Sequence, residues 1–318
     1  MQRQSGSRKI ISWQTDAAGV KAQIALTIAE GKRLIAKAVA CLPEVRYARR
    51  HGKILLKGGT TVSAVAEELI GVPLRISGRV SPRGTTASGS PDTSAPHSML
   101  LDKSAWRNID ENVAEAARQL GADDVVIIGA NALDGAGRAA MMAGAPGGGN
   151  PGASLGAVFA EGAHVIIPVG LEKLIPGSID SAVRVAGRKS KAKSLGMAVG
   201  LLPLIGKVVT ELDALTILGK VNPVVIGKGG IAGAEGSVVI VIEGARAEVD
   251  RVFDEVRALK GASDSGVKSS WEECSPGPRC KRHPGCVYQN DRAARSSQRA
   301  RRAKTKRRSP RPAAKVGY

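Results

Sequence analysis

The chain has 318 residues, 43% of them hydrophobic, enough for one large domain or for a medium domain with a small companion, which excludes disorder over most of its length. No apolar run approaches the roughly 20 residues of a bilayer-spanning helix, and the basic start MQRQSGSRKIISWQTD has no apolar segment behind it, so a cytoplasmic protein without a membrane partner is expected. The formal charge of +19 is unevenly spread, because residues 275–318 hold 14 Lys or Arg against the single acid Asp291, and the high pI is therefore a property of that tail.

Residues 1–30 read as an extension. From 31 to 45, Leu34, Ile35, Ala38, Val39 and Leu42 share one face of a helix, and a short buried-type strand follows at Ile54 to Leu56. The segment KGGTTVSAVAEELIG (57–71) repeats apolar residues at helical spacing through Val62, Val65, Ala66, Leu69 and Ile70. Thr60 or Thr61 is available as its N-cap and Gly71 as its terminator. The stretch from Ser81 to Ser98 is poor in large apolar residues and rich in Pro and Gly, and it reads as a mobile loop. Ile109, Val113, Ala116, Ala117 and Leu120 mark a further helix, followed by apolar strands at Val125 to Ile128 and Val165 to Val169. Alternating strands and helices over 31–190 predict an α/β domain with an open, mostly parallel sheet and helices on both faces.

A basic linker, AGRKSKAKSLG (186–196), precedes a second unit at 196–261. Its expected order is a helix over 208–219, strands at Val224 to Ile226 and Val238 to Ile242, and a helix carrying Val249, Val252, Phe253, Val256 and Leu259. This α, β, β, α order resembles part of a ferredoxin-like sandwich. Residues 262–318 form a Cys-containing, Arg-rich tail with no apolar periodicity, expected to be disordered.

Four segments carry candidate chemistry. Gly58 and Gly59 would let a ligand approach where the Thr60 and Thr61 amides open a helix, with Lys57 beside them; this is an anion site or a tight turn without a ligand. In VVIIGANALDGAG, Asn131 and Asp134 follow a strand at the carboxyl edge of the sheet, where Asp134 would serve as a hydrogen-bond acceptor or base, or as the cap of the next turn. The run APGGGNPG contains Gly147, Gly148 and Gly149, which would form a backbone nest for an anion or a flexible loop. Lys173, after the strand at 165–169, would reach a phosphate or carboxylate, or would decorate the surface beside Glu172. The spacing of Cys274, Cys280, His283 and Cys286 gives four soft ligands for a metal, against free thiols in a disordered segment, and Cys41 reads as a core residue.

The order of GGTT, a strand ending in GANALD, a glycine cluster and GLEKLIP resembles the ribose-5-phosphate isomerase, glucosamine-6-phosphate deaminase and CoA-transferase superfamily, over roughly residues 31–185. VGLEKLIPGSIDSA resembles the corresponding segment of lactate-utilisation (LUD) domain proteins. The resemblance implies a sugar-phosphate-type loop at GGTT and a ligand-contacting acid at Asp134. The isomerases' Lys-Gly-Gly-Gly motif is replaced here by AGAPGGG, so binding is better supported than any one reaction. The expectation is a protein that binds a small phosphorylated or carboxylated metabolite, such as a sugar phosphate, CoA ester or hydroxy acid, with no cofactor assigned. Two alternatives stand beside it: an isomerase- or transferase-like enzyme with Asp134 as base, and a polyanion-associated protein whose tail (275–318) binds nucleic acid without sequence preference. Homo-oligomerisation is compatible with each.

Overall fold

The computed structural model describes residues 19–87, 95–103, 105–271, 280 and 283–289. The chain begins with β1 (Val20–Leu26), α1 (Ile28–Cys41), α2 (Pro43–His51), β2 (Lys53–Lys57) and α3 (Thr60–Ile70). It continues through β3 (Gly78–Ser81), β4 (Gly84–Ala87), β5 (Ser98–Asp102), β6 (Ala105–Asn108), α4 (Val113–Arg118) and β7 (Val125–Ile128). Then come β8 (Ala132–Leu133), β9 (Ala139–Ala143), α5 (Gly149–Ala160), β10 (His164–Pro168), α6 (Ile179–Val185), β11 (Gly200–Leu204) and β12 (Lys207–Val209). The last elements are α7 (Glu211–Leu218), β13 (Val221–Gly229), β14 (Ser237–Gly244) and α8 (Arg246–Ala258).

The central sheet has the order β12-β10-β7-β2-β5-β6, with the first four strands parallel and β5 and β6 antiparallel at one side. Its strands are apolar at successive positions because both faces are covered. Ile54, Leu56, Val125, Ile127 and Ile166 enter one core with α1, α3 and α7, whereas Leu55, Leu100, Val126, Ile128, Val165 and Ile167 enter a second core with α4 and α5. The fold is therefore α/β, with helices on both faces of a mostly parallel sheet.

Local chemistry sets the helix ends. Thr27 and Glu30 form a reciprocal capping box at the start of α1, and Thr210 and Asp213 form another at α7. The single helix expected over 31–45 divides at Leu42, which precedes Pro43 and takes an extended conformation (φ −59°, ψ 136°) because proline disfavours helical backbone in the residue before it.

The expected α, β, β, α order of the second unit is found as α7, β13, β14 and α8, with its strands longer than anticipated. β1 completes this sheet by pairing with β14 along Val20 to Leu26, in the stretch read from the sequence as an extension. Three further corrections concern neighbouring segments. Val208 belongs to β12, which joins the central sheet, and the helix begins only at Glu211. Part of the Ser81 to Ser98 segment is ordered as the β3–β4 hairpin, while residues 88–94 lie outside the described residues. Cys41, the last residue of α1, is exposed rather than in the core: it shares the Leu34 face but ends the helix beyond the buried residues. Among the described residues, no helix is long and apolar enough to cross a membrane.

Candidate functional site

The parallel strands β2, β7, β10 and β12 deliver Gly58, Gly129, Val169 and Thr210 to one edge of the sheet, their carboxyl edge, where open α/β sheets bind ligands. The turn after β2 is shaped for close approach. Gly59 is the N-cap of α3 at φ +101°, a conformation that favours glycine, and no side chain caps the helix. A Cβ at Gly59 would meet nothing within 4 Å, so the space on that side of the α3 N-cap is open. On its other side, Gly58 carries the His97 ring, which a Cβ there would overlap, and the Gly58 amide donates to the His97 carbonyl at 3.0 Å.

Lys57 is directly opposite Ser98 in the β2–β5 register, two residues along from the Leu55 and Leu100 pair, so both side chains point toward the α4 and α5 layer. Asp110, just before α4, organises this corner. Its carboxylate accepts from the Ser98 amide (2.6 Å), the His97 amide (3.1 Å) and the Arg75 guanidinium (2.7 Å), and these donors hold it below the usual carboxylate range against the opposing effect of burial. Asn150, at the start of α5, donates to the Asp110 carbonyl at 2.8 Å and ties the glycine cluster to the same corner. His97 Nδ1 lies 2.9 Å from the Arg75 carbonyl, which can only accept, so the proton is on Nδ1 and Nε2 is bare. Burial, reinforced by the Lys57 charge, pushes the His97 ring down to about 3 and keeps it neutral.

The corner has more donors than acceptors. Lys57 is only 7% exposed, and burial pulls its ammonium down to about 8, with Asp110 opposing and Arg75 adding to the fall. No described residue accepts a hydrogen bond from it. The Ser98 hydroxyl and Arg75 Nε are likewise buried without a partner. A donor left unsatisfied in a protein interior is costly, so the Ser98 hydroxyl and Arg75 Nε beside the buried Lys57 ammonium would gain from an added acceptor such as an anion, Asp110 already accepting from three donors.

The other sequence candidates take different tasks. Asp134 is a structural staple rather than a base: its carboxylate accepts from the amides of Ala136 (3.0 Å), Arg138 (3.0 Å) and Ile179 (2.9 Å) and from Arg138 Nε (2.9 Å). The Ile179 amide first, with the Arg138 and Ala136 donors, draws it down to about 2, far from the neutral range a general base needs. Asp134→Asn is expected to lower the melting temperature at pH 7, since its amide nitrogen would face donors. The native carboxylate's contribution holds above its unfolded pKa of about 3.9 and is lost as pH falls toward 2. Asn131 accepts from the Met142 amide at 2.9 Å and pins the β8–β9 corner. Gly147, Gly148 and Gly149 have φ of 64°, 83° and 64°, a run of one hand that leads into α5, not the alternation that makes an anion nest. Lys173 is partly exposed, with Nζ 3.7 Å from its neighbour Glu172. Cys280, His283 and Cys286 line one small recess with Thr85 and Met197, yet no group of three metal ligands is assembled among the described residues, and Cys274 lies outside them.

Sequence reasoning passed over a carboxylate pair at the same edge. Glu211 opens α7 directly after β12, is 3% exposed, and accepts from the Leu171 amide at 2.8 Å. Glu172 points into the same space, and neither of its buried oxygens accepts a hydrogen bond. Two glycines with unexceptional backbone angles make the room. A Cβ on Gly170 would collide with Glu172 Oε2 and lie 3.1 Å from Glu211 Oε1, and one on Gly31 of α1 would lie 2.6 Å from Glu211 Oε1. Burial chiefly, then the charge of Glu172, pushes Glu211 up to about 7, while Lys228 opposes the rise. Lys228 Nζ donates to the Leu171 carbonyl and Gly236 approaches Glu172, so the β13–β14 turn covers the pair. Gly170→Ala requires the Glu172 carboxylate, the end of a flexible side chain that accepts no hydrogen bond, to swing away from the new methyl, so it is expected to cost the fold less than about 1 kcal/mol; thermal denaturation measures it.

The fold and this edge define an α/β protein with two buried ionisable clusters at the ends of its parallel strands. Comparison with protein-family models, with curated proteins and with solved structures finds no match for the chain.

Proposed function

We propose that the protein binds a small phosphorylated or carboxylated metabolite at the carboxyl edge, between the uncapped start of α3 and the Lys57 corner. The observation that carries this reading is the donor surplus there: the Ser98 hydroxyl and Arg75 Nε are buried without acceptors beside the buried Lys57 ammonium, while Asp110 already accepts from three donors. An anion would supply those acceptors, and its negative charge would suit the α3 amino end. A thermal-shift panel of inorganic phosphate, sugar phosphates, acyl-CoAs and hydroxy acids tests it. A selective rise in Tm for one class in the native chain, absent in Lys57→Met, is the expected result; no shift with any class, or an equal shift in the variant, would remove the proposal.

A second reading, acid–base chemistry on the bound metabolite, draws support from Glu211 in place of Asp134. Its pKa near 7 suits proton transfer at neutral pH. That reading requires Glu211→Gln to abolish turnover of whichever ligand the panel identifies while leaving its binding intact.

A further inference from the structure

Among the stretches of the sequence that contain basic residues and no acid are 69–91, 181–210 and 274–290. They are far apart in the chain, yet the fold stitches them together. The Thr85 amide donates to the Leu195 carbonyl (3.2 Å) and the Met197 amide to the Thr85 carbonyl (2.6 Å), which joins the β3–β4 hairpin to the basic loop after α6. The Ser194 amide donates to Gly285 (2.8 Å) and the Val287 amide to Ser194 (3.1 Å), which adds the third stretch to the same loop.

The loop is folded from within by one of its own cations. Lys191 Nζ donates to the carbonyls of Ala186 (2.7 Å), Gly187 (3.0 Å) and Val199 (2.9 Å). Lys189 and Lys193 are left exposed, as are Arg184 at the end of α6 and Arg83 in the hairpin turn, with Arg188 partly so. No carboxylate from these stretches offsets them. Arg83 lies over the Tyr288 ring, its guanidinium carbon 4.5 Å from the centroid, and the Tyr288 hydroxyl donates to the Arg83 carbonyl at 2.9 Å.

We propose that this three-stranded junction of acid-free segments is a binding face for single-stranded nucleic acid. Its cations would neutralise successive phosphates, and the Arg83–Tyr288 pair offers the planar groups on which unpaired bases stack. The face consists of a hairpin and loops, with no long amphipathic helix whose apolar stripe would enter a bilayer, so an anionic membrane fits it less well. The proposal is independent of the anion site at the sheet edge.

The test is fluorescence anisotropy of the full chain with a labelled oligouridylate over a range of salt concentrations, with phosphatidylserine vesicles as a second arm. The combined variant Arg188→Glu, Lys189→Glu, Lys193→Glu should bind about tenfold more weakly or worse and reduce the log–log salt slope by about 2. Tyr288→Ala should weaken binding by about tenfold with the slope unchanged. If the triple variant lowers Tm, the pair Arg184→Glu and Lys193→Glu replaces it. Undiminished affinity in the charge-reversed chain would assign binding to residues 290–318 and overturn the proposal, as would binding to vesicles but not to the oligonucleotide, or no oligonucleotide binding at all.

Discussion

Glu211→Gln is expected to raise the melting temperature markedly at pH 8 and to leave it nearly unchanged at pH 4. In the folded chain the Glu211 carboxyl is pushed up to about 7, mainly by burial and then by Glu172, whereas in the unfolded chain it titrates near its ordinary value of 4.5. Between those values the folded state holds a proton that the unfolded state has released, so stability falls as pH rises from about 4.5 to about 7. Above 7 the full penalty applies, on the order of 3 kcal/mol. Glutamine keeps an oxygen for the Leu171 amide and removes the charge beside Glu172, so the variant escapes the penalty. A pH series of thermal melts on both chains checks it. A variant destabilised at pH 8 would mean that Glu211 is stabilised as a carboxylate, with Lys228 outweighing burial.

Lys57→Met should produce the mirror-image profile. Burial holds the Lys57 ammonium near 8 in the folded chain against an ordinary value of 10.5, so below pH 8 both states are protonated and the folded one carries a desolvation penalty of about 3 kcal/mol. Between about 8 and 10.5 the unfolded state binds the extra proton, and stability rises with pH. Methionine matches the length of the lysine stem without its charge, so the variant should be more stable at pH 7 and equal to the native chain near pH 10.5. Taken together, Lys57 and Glu211 place the native chain's weakest stability, as far as these two groups contribute, between about pH 7 and 8. Two buried ionisable groups that lower stability near pH 7 to 8 are the pattern expected where function and folding compete.

Much of the central sheet was legible in the sequence because its strands are fully buried and therefore read as unbroken apolar runs, as at Val125 to Ile128 and Val165 to Pro168. The helix after Gly59 was legible from its periodicity and from the glycines at each end. β12 was not: Val208, Leu212 and Leu215 fit a helical period by coincidence, and only the Thr210 and Asp213 capping box marks where the helix starts. β1 carries the period-2 alternation of a half-covered strand, but its partner β14 lies more than two hundred residues away, and one strand's pattern does not say what it pairs with. The site divides in the same way. Lys57 stood out beside Gly58 and Gly59, whereas the crowding that buries it comes from Ser98 and Asp110, brought there by β5 and the turn before α4. Asp134 looked available because one of its donors, the Ile179 amide, is remote in sequence. Glu172 and Glu211 are thirty-nine positions apart and have no motif; the usable signal was glycine at Gly31 and Gly170, where the backbone does not require it.

The central claim, an anion site built on Lys57, is most directly tested by isothermal titration of the native chain and Lys57→Met with the best ligand from the thermal-shift panel, from pH 6.5 to 9.5. Binding of an anion beside the ammonium should raise its pKa, so the native chain should take up a proton on binding near pH 8 and lose affinity as pH rises beyond it, while the variant binds at least about tenfold more weakly with no proton uptake. Equal affinity in the two chains, or binding without proton uptake near pH 8, would contradict the account.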